Sequence, residues 1–285
     1  MSKIHVITDS GSDLPQEILT EYNIHVVPLT VQFGDEIYRD GVEISVEEFY
    51  RRLEAASEIP STCQPSPADF VRVYEEVAEP GDTIISIHLS SKMSGTYQSA
   101  VLASSMIDPE IEVRVVDSRS ASLGIGVTAL VAAKAVLAGE DVNGVLAAVQ
   151  RVIDDMQVYF MVDTLEYLQK NGRIGMASAF VGTLLNIKPI LTLQDGMVAP
   201  FEKIRGRVKA INRIKEMMDR YKKQHPDRKL MAAISHANAL HDAQRLADYL
   251  EEQHLLDSKI MIGSIGPTIG VHTGAGTIAL FIYPV

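Results

Sequence analysis

Apolar residues fall along this chain in short runs parted by polar turns, and the spacing of those runs predicts its elements. "KIHVIT" and "DTIISIHL" are apolar-rich runs of strand length, the first reading as a buried strand. Each leads through a serine-rich turn into a helical period, as does "EVRVVD", and strand–helix–strand order predicts parallel pairing through right-handed crossovers. "HVVPLTVQFGDEIYRDG" alternates around Gly34-Asp35, which predicts a hairpin inserted at about residues 25–45. A helix from Val46 to Glu54 follows. "SPADFVRVYEEV" carries a helix start, with Ser66 as N-cap, Pro67 at the first helical position and Asp69 three residues after the cap.

From about Asp154 to Val162 the pattern changes. "KPILTLQDGMVAPFEK" reads as an antiparallel hairpin around Asp195-Gly196, long helices are expected near 206–224 and 238–254, and strands near 229–235, 259–265 and 277–283. The expected architecture is an α/β N-terminal domain with a parallel sheet, residues 1–158, and an α+β C-terminal domain with a mainly antiparallel sheet, residues 159–285.

Composition narrows the class. The 285 residues are 46% hydrophobic and 22% charged, ordinary values for a chain that buries a sizeable core. A net charge of −11 argues against nucleic acid as a partner. The one cysteine, Cys63, and the lack of a long apolar run in "MSKIHVITDSGSDLP" lead us to expect a cytoplasmic protein. Lys134 and Lys188-Pro189 interrupt the two most apolar segments, so neither supplies the roughly 20 apolar residues of a membrane span; transient membrane contact stays open.

The turns "TDSGSD", "SSKMSGT" and "DSRSAS" each end a strand and open a helix. In a parallel sheet they converge on one edge, where helix N-termini and small residues favour an oxygen-rich anion. Simple helix capping explains any one of them equally well. No Walker-type loop, Gly-x-Ser-x-Gly elbow or metalloprotease histidine pair is present, which favours binding over turnover. His272 stands among glycines in "IGVHTGAG", placed to donate to an anionic head. Cys63 is read as a small buried hydrophobe before a reactive thiol.

"TDSGSDLP", "STCQPSP", "SSKMSGTYQSA", "DSRSASLG", "LEYLQKNGRI", "LLNIKPIL", "KIRGRVKA" and "IGVHTGAG", in that order from first strand to last, resemble the DegV family, whose members bind fatty acids. The resemblance implies a palmitate-like long-chain fatty acid held between the two domains, with no covalent cofactor and no metal. It also implies a carrier without catalysis of its own. Such a protein presents the carboxylate to a separate ATP-binding subunit of a fatty acid kinase and retains the acyl phosphate. By motif, Thr62, Ser94, Gly95 and His272 would hold the carboxylate, with Arg173 near the mouth. Tail-lining candidates are Ile125, Val127, Phe180, Leu184, Leu185 and Ile190. Ala275 stands where the family pattern has proline, and Val208 interrupts a usually more basic run; neither removes a head-group donor. The alternatives are an acyl- or phosphoryl-transfer enzyme using Ser94 or Cys63 with His272, and a lipid-sensing regulatory module.

Charge adds a partner signal. Residues 203–229 hold eleven Lys or Arg against three acids, +8, while the remainder is −19. Lys203, Arg205, Arg207 and Lys209 precede or open a helix, where the dipole disfavours cations, so we read them as a docking surface for an acidic partner or phosphate.

Overall fold

The computed structural model describes residues 2–182, 186–256 and 259–284. Its strands are β1 (Ile4–Asp9), β2 (Ile24–Val27), β3 (Thr30–Phe33), β4 (Glu36–Arg39), β5 (Ser61–Cys63), β6 (Thr83–His88), β7 (Glu112–Asp117), β8 (Gln157–Met161), β9 (Ile187–Gln194), β10 (Met197–Arg205), β11 (Leu230–His236), β12 (Met261–Ser264) and β13 (Ile278–Pro284). Its helices are α1 (Gln16–Glu21), α2 (Val46–Ala55), α3 (Pro67–Val77), α4 (Thr96–Ser104), α5 (Leu123–Leu137), α6 (Val142–Asp155), α7 (Glu166–Lys170), α8 (Arg207–Gln224), α9 (Leu240–Glu252) and α10 (Pro267–Thr273).

The apolar runs form a parallel sheet in the order β2-β1-β6-β7. β6 is buried along its whole length, as a strand with helices on both faces must be. The Ser66 start signal is realised as a reciprocal capping box: Asp69 N–H donates to Ser66 Oγ at 3.2 Å, and Ser66 N–H donates to Asp69 Oδ2 at 3.0 Å. Helix α5 is apolar all round because ten of its residues are fully buried between the sheets, and no described helix is long and apolar enough to cross a membrane.

The hairpin differs from expectation in extent. β3 and β4 pair around Gly34-Asp35, but β2 belongs to the parallel sheet, in register Val6↔Ile24, and β5 joins the hairpin through Val31↔Thr62. Pro28 is the reason: lacking an N–H, it cuts one apparent strand into two that serve different sheets.

The second sheet runs β10-β9-β8-β13-β11-β12, antiparallel except for the β11/β12 pair. Its side chains divide with period two. Ile278, Leu280 and Ile282 of β13 pack against Ile214 and Met218 of α8 and Leu246 of α9. Ala279, Phe281 and Tyr283 face the other way, into a core that also holds Ile85 and Ile87 of β6 and Ile125 of α5. That shared core joins the two sheets. The division expected at residue 158 falls within β8.

Candidate ligand-binding site

The three serine-rich turns do meet at one sheet edge, and most of their polar groups are spent on one another. Asp9 accepts from Gly11 N–H and Leu89 N–H and contacts His88 Nδ1 at 3.0 Å. Ser90 N–H donates to Ser120 O, and Ser91 Oγ to Asp117 at 2.5 Å. His88 Nε2 lies 2.6 Å from Ser86 Oγ, so Asp9, His88 and Ser86 have the connectivity of a hydrolytic triad. All three are fully buried, and Ser86 is taken by Tyr74 OH at 2.8 Å. With no substrate access, this chain braces the parallel sheet.

Beyond the Ser90–Thr96 turn lies a cleft that encloses about 780 Å³ of empty space with its open mouth included. Its floor is one face of the second sheet: Val158 and Phe160 of β8, Val198 of β10, Ser235 of β11, Ala279 and Phe281 of β13. Leu89 and Leu29 line it from the N-terminal half, Ile265 and Ile269 from the β12–α10 segment. Among the described lining residues none is an acid, and Arg173 is the one permanent charge.

Four polar side chains from four segments cluster on this wall. Thr62 on β5 places Oγ1 3.0 Å from Nε2 of His272 on α10. Arg173 donates from Nε to the carbonyl of Met93, the neighbour of Ser94, at 3.2 Å and from Nη1 to Asn171 O at 2.7 Å. Ser94 Oγ lies 2.9 Å from Thr96 Oγ1 and accepts from Thr96 N–H at 3.3 Å, closing the turn into α4. Burial, with Arg173 adding to it, lowers the His272 pKa to about 4, so the ring is neutral at pH 7. Its Nδ1 is buried and bonded to nothing. If Nε2 accepts from the Thr62 hydroxyl, Nδ1 carries the hydrogen and is a spare donor facing no protein acceptor.

Helix α10 is held in place from the N-terminal half. Asp40 accepts from Thr268 N–H at 3.1 Å and Thr268 Oγ1 at 2.5 Å, while Asp13 accepts from Gly266 N–H at 2.9 Å and from Ser122. Asp40 is buried and Asp13 half-buried, and desolvation raises Asp40 to about 6 and Asp13 well above its ordinary value.

The structure thus brings Thr62, Ser94, Arg173 and His272 onto one cavity. Gly95 adjoins it without lining it: the Gln64 amide occupies the space where a Gly95 side chain would sit, 2.5 Å from the place of its Cβ. The tail candidates fare differently. Ile125 and Val127 are fully buried core residues of α5, and Ile190 packs on the α8/α9 side of the second sheet, so none of the three lines the cavity. Phe180 lies beneath Lys203, whose Nζ is 4.7 Å from the ring centroid, and Leu184 and Leu185 lie outside the described residues. Cys63 is exposed rather than buried, because strand alternation turns it away from its neighbour Thr62. Within the basic run, Lys203, Arg205 and Lys209 are exposed, but Arg207 is engaged: it donates to Asp242 at 2.7 Å, Asp163 at 2.9 Å and Gly276 O at 2.7 Å.

A mixed α/β fold with an apolar cavity between two sheets, headed by hydroxyls and a neutral histidine, defines a class of protein that shelters a molecule with an apolar body and a polar end. The chain belongs to the DegV family: residues 3–285 match the model of that family, which describes its members only as uncharacterised proteins. It is 38% identical over 279 residues to Protein DegV of Bacillus subtilis, covering 97% of this chain and 98% of that one. Among solved structures, the DegV family protein of Thermus thermophilus, described by its fatty acid binding, aligns with a TM-score of 0.91 at 37% identity, covering 99% of this chain and all of that one. A stearic acid-binding protein from Eubacterium ventriosum aligns at 0.90 and 26% identity, covering 100% of this chain and 98% of that one.

Proposed function

We propose that this chain binds a palmitate-like fatty acid in the cavity, its carboxylate among Thr62, Ser94 and His272 and its tail over Phe160, Val198 and Phe281. The observation that carries the reading is His272: a neutral, buried ring with an unpartnered Nδ1 at the head of a mostly apolar space. A buried polar atom without a partner costs ~1–3 kcal/mol, and a carboxylate oxygen accepting from Nδ1–H removes that cost. Tail burial supplies the strength: at ~0.8 kcal/mol per methylene, a chain of about 14 methylenes contributes ~11 kcal/mol before ordering costs.

The head-group geometry also supports a carrier role in the cytoplasm. Neutral hydroxyls and an imidazole hold a carboxylate while leaving an oxygen open, whereas a bidentate arginine clamp would cover it. The protein then offers that oxygen to a separate ATP-dependent kinase subunit and retains the acyl phosphate. Exposed Lys203, Arg205 and Lys209 supply the docking charge. A transferase reading finds less support, since Ser94 is bonded to Thr96 rather than to His272 and Cys63 faces solvent.

The test is mass spectrometry of lipid extracted from protein purified without detergent. A stoichiometric long-chain acid is expected, and its absence, together with no uptake of added palmitate, would refute the reading. With labelled ATP and magnesium, acyl phosphate is expected only when a kinase subunit is added; its formation by this chain alone would refute the carrier role.

A further inference from the structure

Seven hydroxyl side chains line the cavity, and six of them have protein partners. Thr62 contacts His272, Ser94 contacts Thr96, Ser122 donates to Asp13 and Thr268 to Asp40. Thr273 donates to the Ile269 carbonyl, and Thr277 to the carbonyls of Thr273 and Gly274. Ser235 is the exception among the described residues: it is fully buried on β11 and its Oγ has no partner.

Its setting shows why nothing covers it. In the strand register Ser235 lies opposite Ala279 of β13 and beside Gly263 of β12, so neither neighbour supplies a polar atom or much bulk. On its face the flanking residues are Ala233 and, just past the strand end, Ala237, both buried in the shared apolar core, with Met231 packed against that core farther along. Ser235 therefore forms a polar point in the sheet floor, on an element separate from Thr62, Ser94, Arg173 and His272. The hydroxyl is already shut off from water, and a plain alkyl chain laid across it brings no bond to replace the one that is missing. A hydroxyl on the chain itself removes that cost, since two hydroxyls satisfy each other in either direction.

We infer that the ligand class of this chain is a long-chain fatty acid bearing a hydroxyl part-way along its tail, which pairs with Ser235 while the carboxylate occupies the His272 end. The inference rests on the fatty acid reading and adds to it a residue that sets specificity. Ser235 is the lining hydroxyl without a partner among the described residues, so the hydroxyl selected is the one at the position along the chain that reaches β11.

The experiment measures delipidated wild-type protein and Ser235→Ala against stearic acid and a series of monohydroxystearic acids with the hydroxyl stepped along the chain. For wild type, one positional isomer binds about tenfold more tightly than stearic acid, the equivalent of ~1.4 kcal/mol. Ser235→Ala removes that preference, and a cooperative urea unfolding transition shows that the variant is folded. Equal wild-type affinity for stearic acid and every isomer overturns the inference and leaves the fatty acid reading standing. So does a preference that survives in Ser235→Ala, or an equal loss for all acids, which would make Ser235 a carboxylate ligand. Failure of every acid to bind wild type overturns both readings, and the wild-type series decides the matter even where the variant does not fold.

Discussion

Replacing Asp40 by Asn is expected to change how the protein's stability depends on pH. Asp40 is buried where it accepts from Thr268 N–H and Oγ1, and it faces Ser10, Asp9, Asp13 and Tyr50. Desolvation raises its pKa from 3.8 to about 6. The folded protein thus binds a proton more readily than the unfolded chain between those values, so this contribution to stability is present below pH 3.8 and lost as pH rises through about 6. At 1.36 kcal/mol per pH unit the full loss is about 3 kcal/mol, of which ~2.5 kcal/mol falls between pH 4 and pH 7. His272 acts in the opposite sense. Its pKa is lowered from 6.5 to about 4, so the unfolded chain holds its proton more readily and stability rises with pH across that window, again by about 3 kcal/mol. Asp13, which burial also raises, adds to the Asp40 slope in the wild type. Asp40→Asn keeps the oxygen that faces Thr268 and removes only the charge, so the variant's stability minus the wild type's should increase by ~2.5 kcal/mol from pH 4 to pH 7. Urea unfolding midpoints on delipidated protein at half-unit pH steps measure that difference. A difference constant to within ~0.5 kcal/mol would mean that Asp40 titrates normally and grips α10 without a desolvation cost.

Ser94→Ala should weaken fatty acid binding ~10- to 150-fold by calorimetry while a fatty alcohol of equal length loses much less; equal losses would reduce Ser94 to the cap of α4. Val198→Phe adds bulk to the cavity floor, and should lower affinity for an 18-carbon acid at least tenfold more than for a 12-carbon acid; a uniform change would mean the tail does not cross β10. Arg205→Glu with Lys209→Glu should slow kinase-dependent phosphorylation and flatten its salt dependence with lipid affinity unchanged, whereas an unaltered rate would leave these side chains as a solvated face.

The sequence and the structure agree where one physical cause dominates. Apolar-rich runs of strand length read as buried strands, and Ser66-Pro67 followed by Asp69 can hardly be anything but a helix start. The hairpin boundary is legible too, because Pro28 lacks the N–H that a continuous strand would need at that position. Thr62, Ser94, Arg173 and His272 were found through short motifs that each sit in their own segment. Their convergence required the tertiary fold, in which α10 of the second half is clamped by Asp13 and Asp40 of the first.

The tail wall was hidden for a different reason. In "IALFIYP" both faces of β13 are apolar, so alternation of polarity cannot say which face meets a helix layer and which meets a cavity. Alternation of size can. The face against α8 and α9 carries Ile278, Leu280 and Ile282 on β13 and Leu230 and Ile234 on β11, volumes that fill a helix interface. The opposite face carries Ala279 beside Phe281 on β13, and Ala233 and Ser235 on β11 between Met231 and Ala237. A row of small side chains in the middle of a sheet cannot by itself fill the distance to the next layer. Where α5 comes down with Leu123 and Ile125 the gap is closed by protein, and where it does not the gap is the cavity. By that logic the strands of the second sheet, rather than the most apolar helices, are where an acyl chain meets this protein, and the serine at Ser235 is the one position on that floor whose chemistry an alkyl chain alone cannot answer.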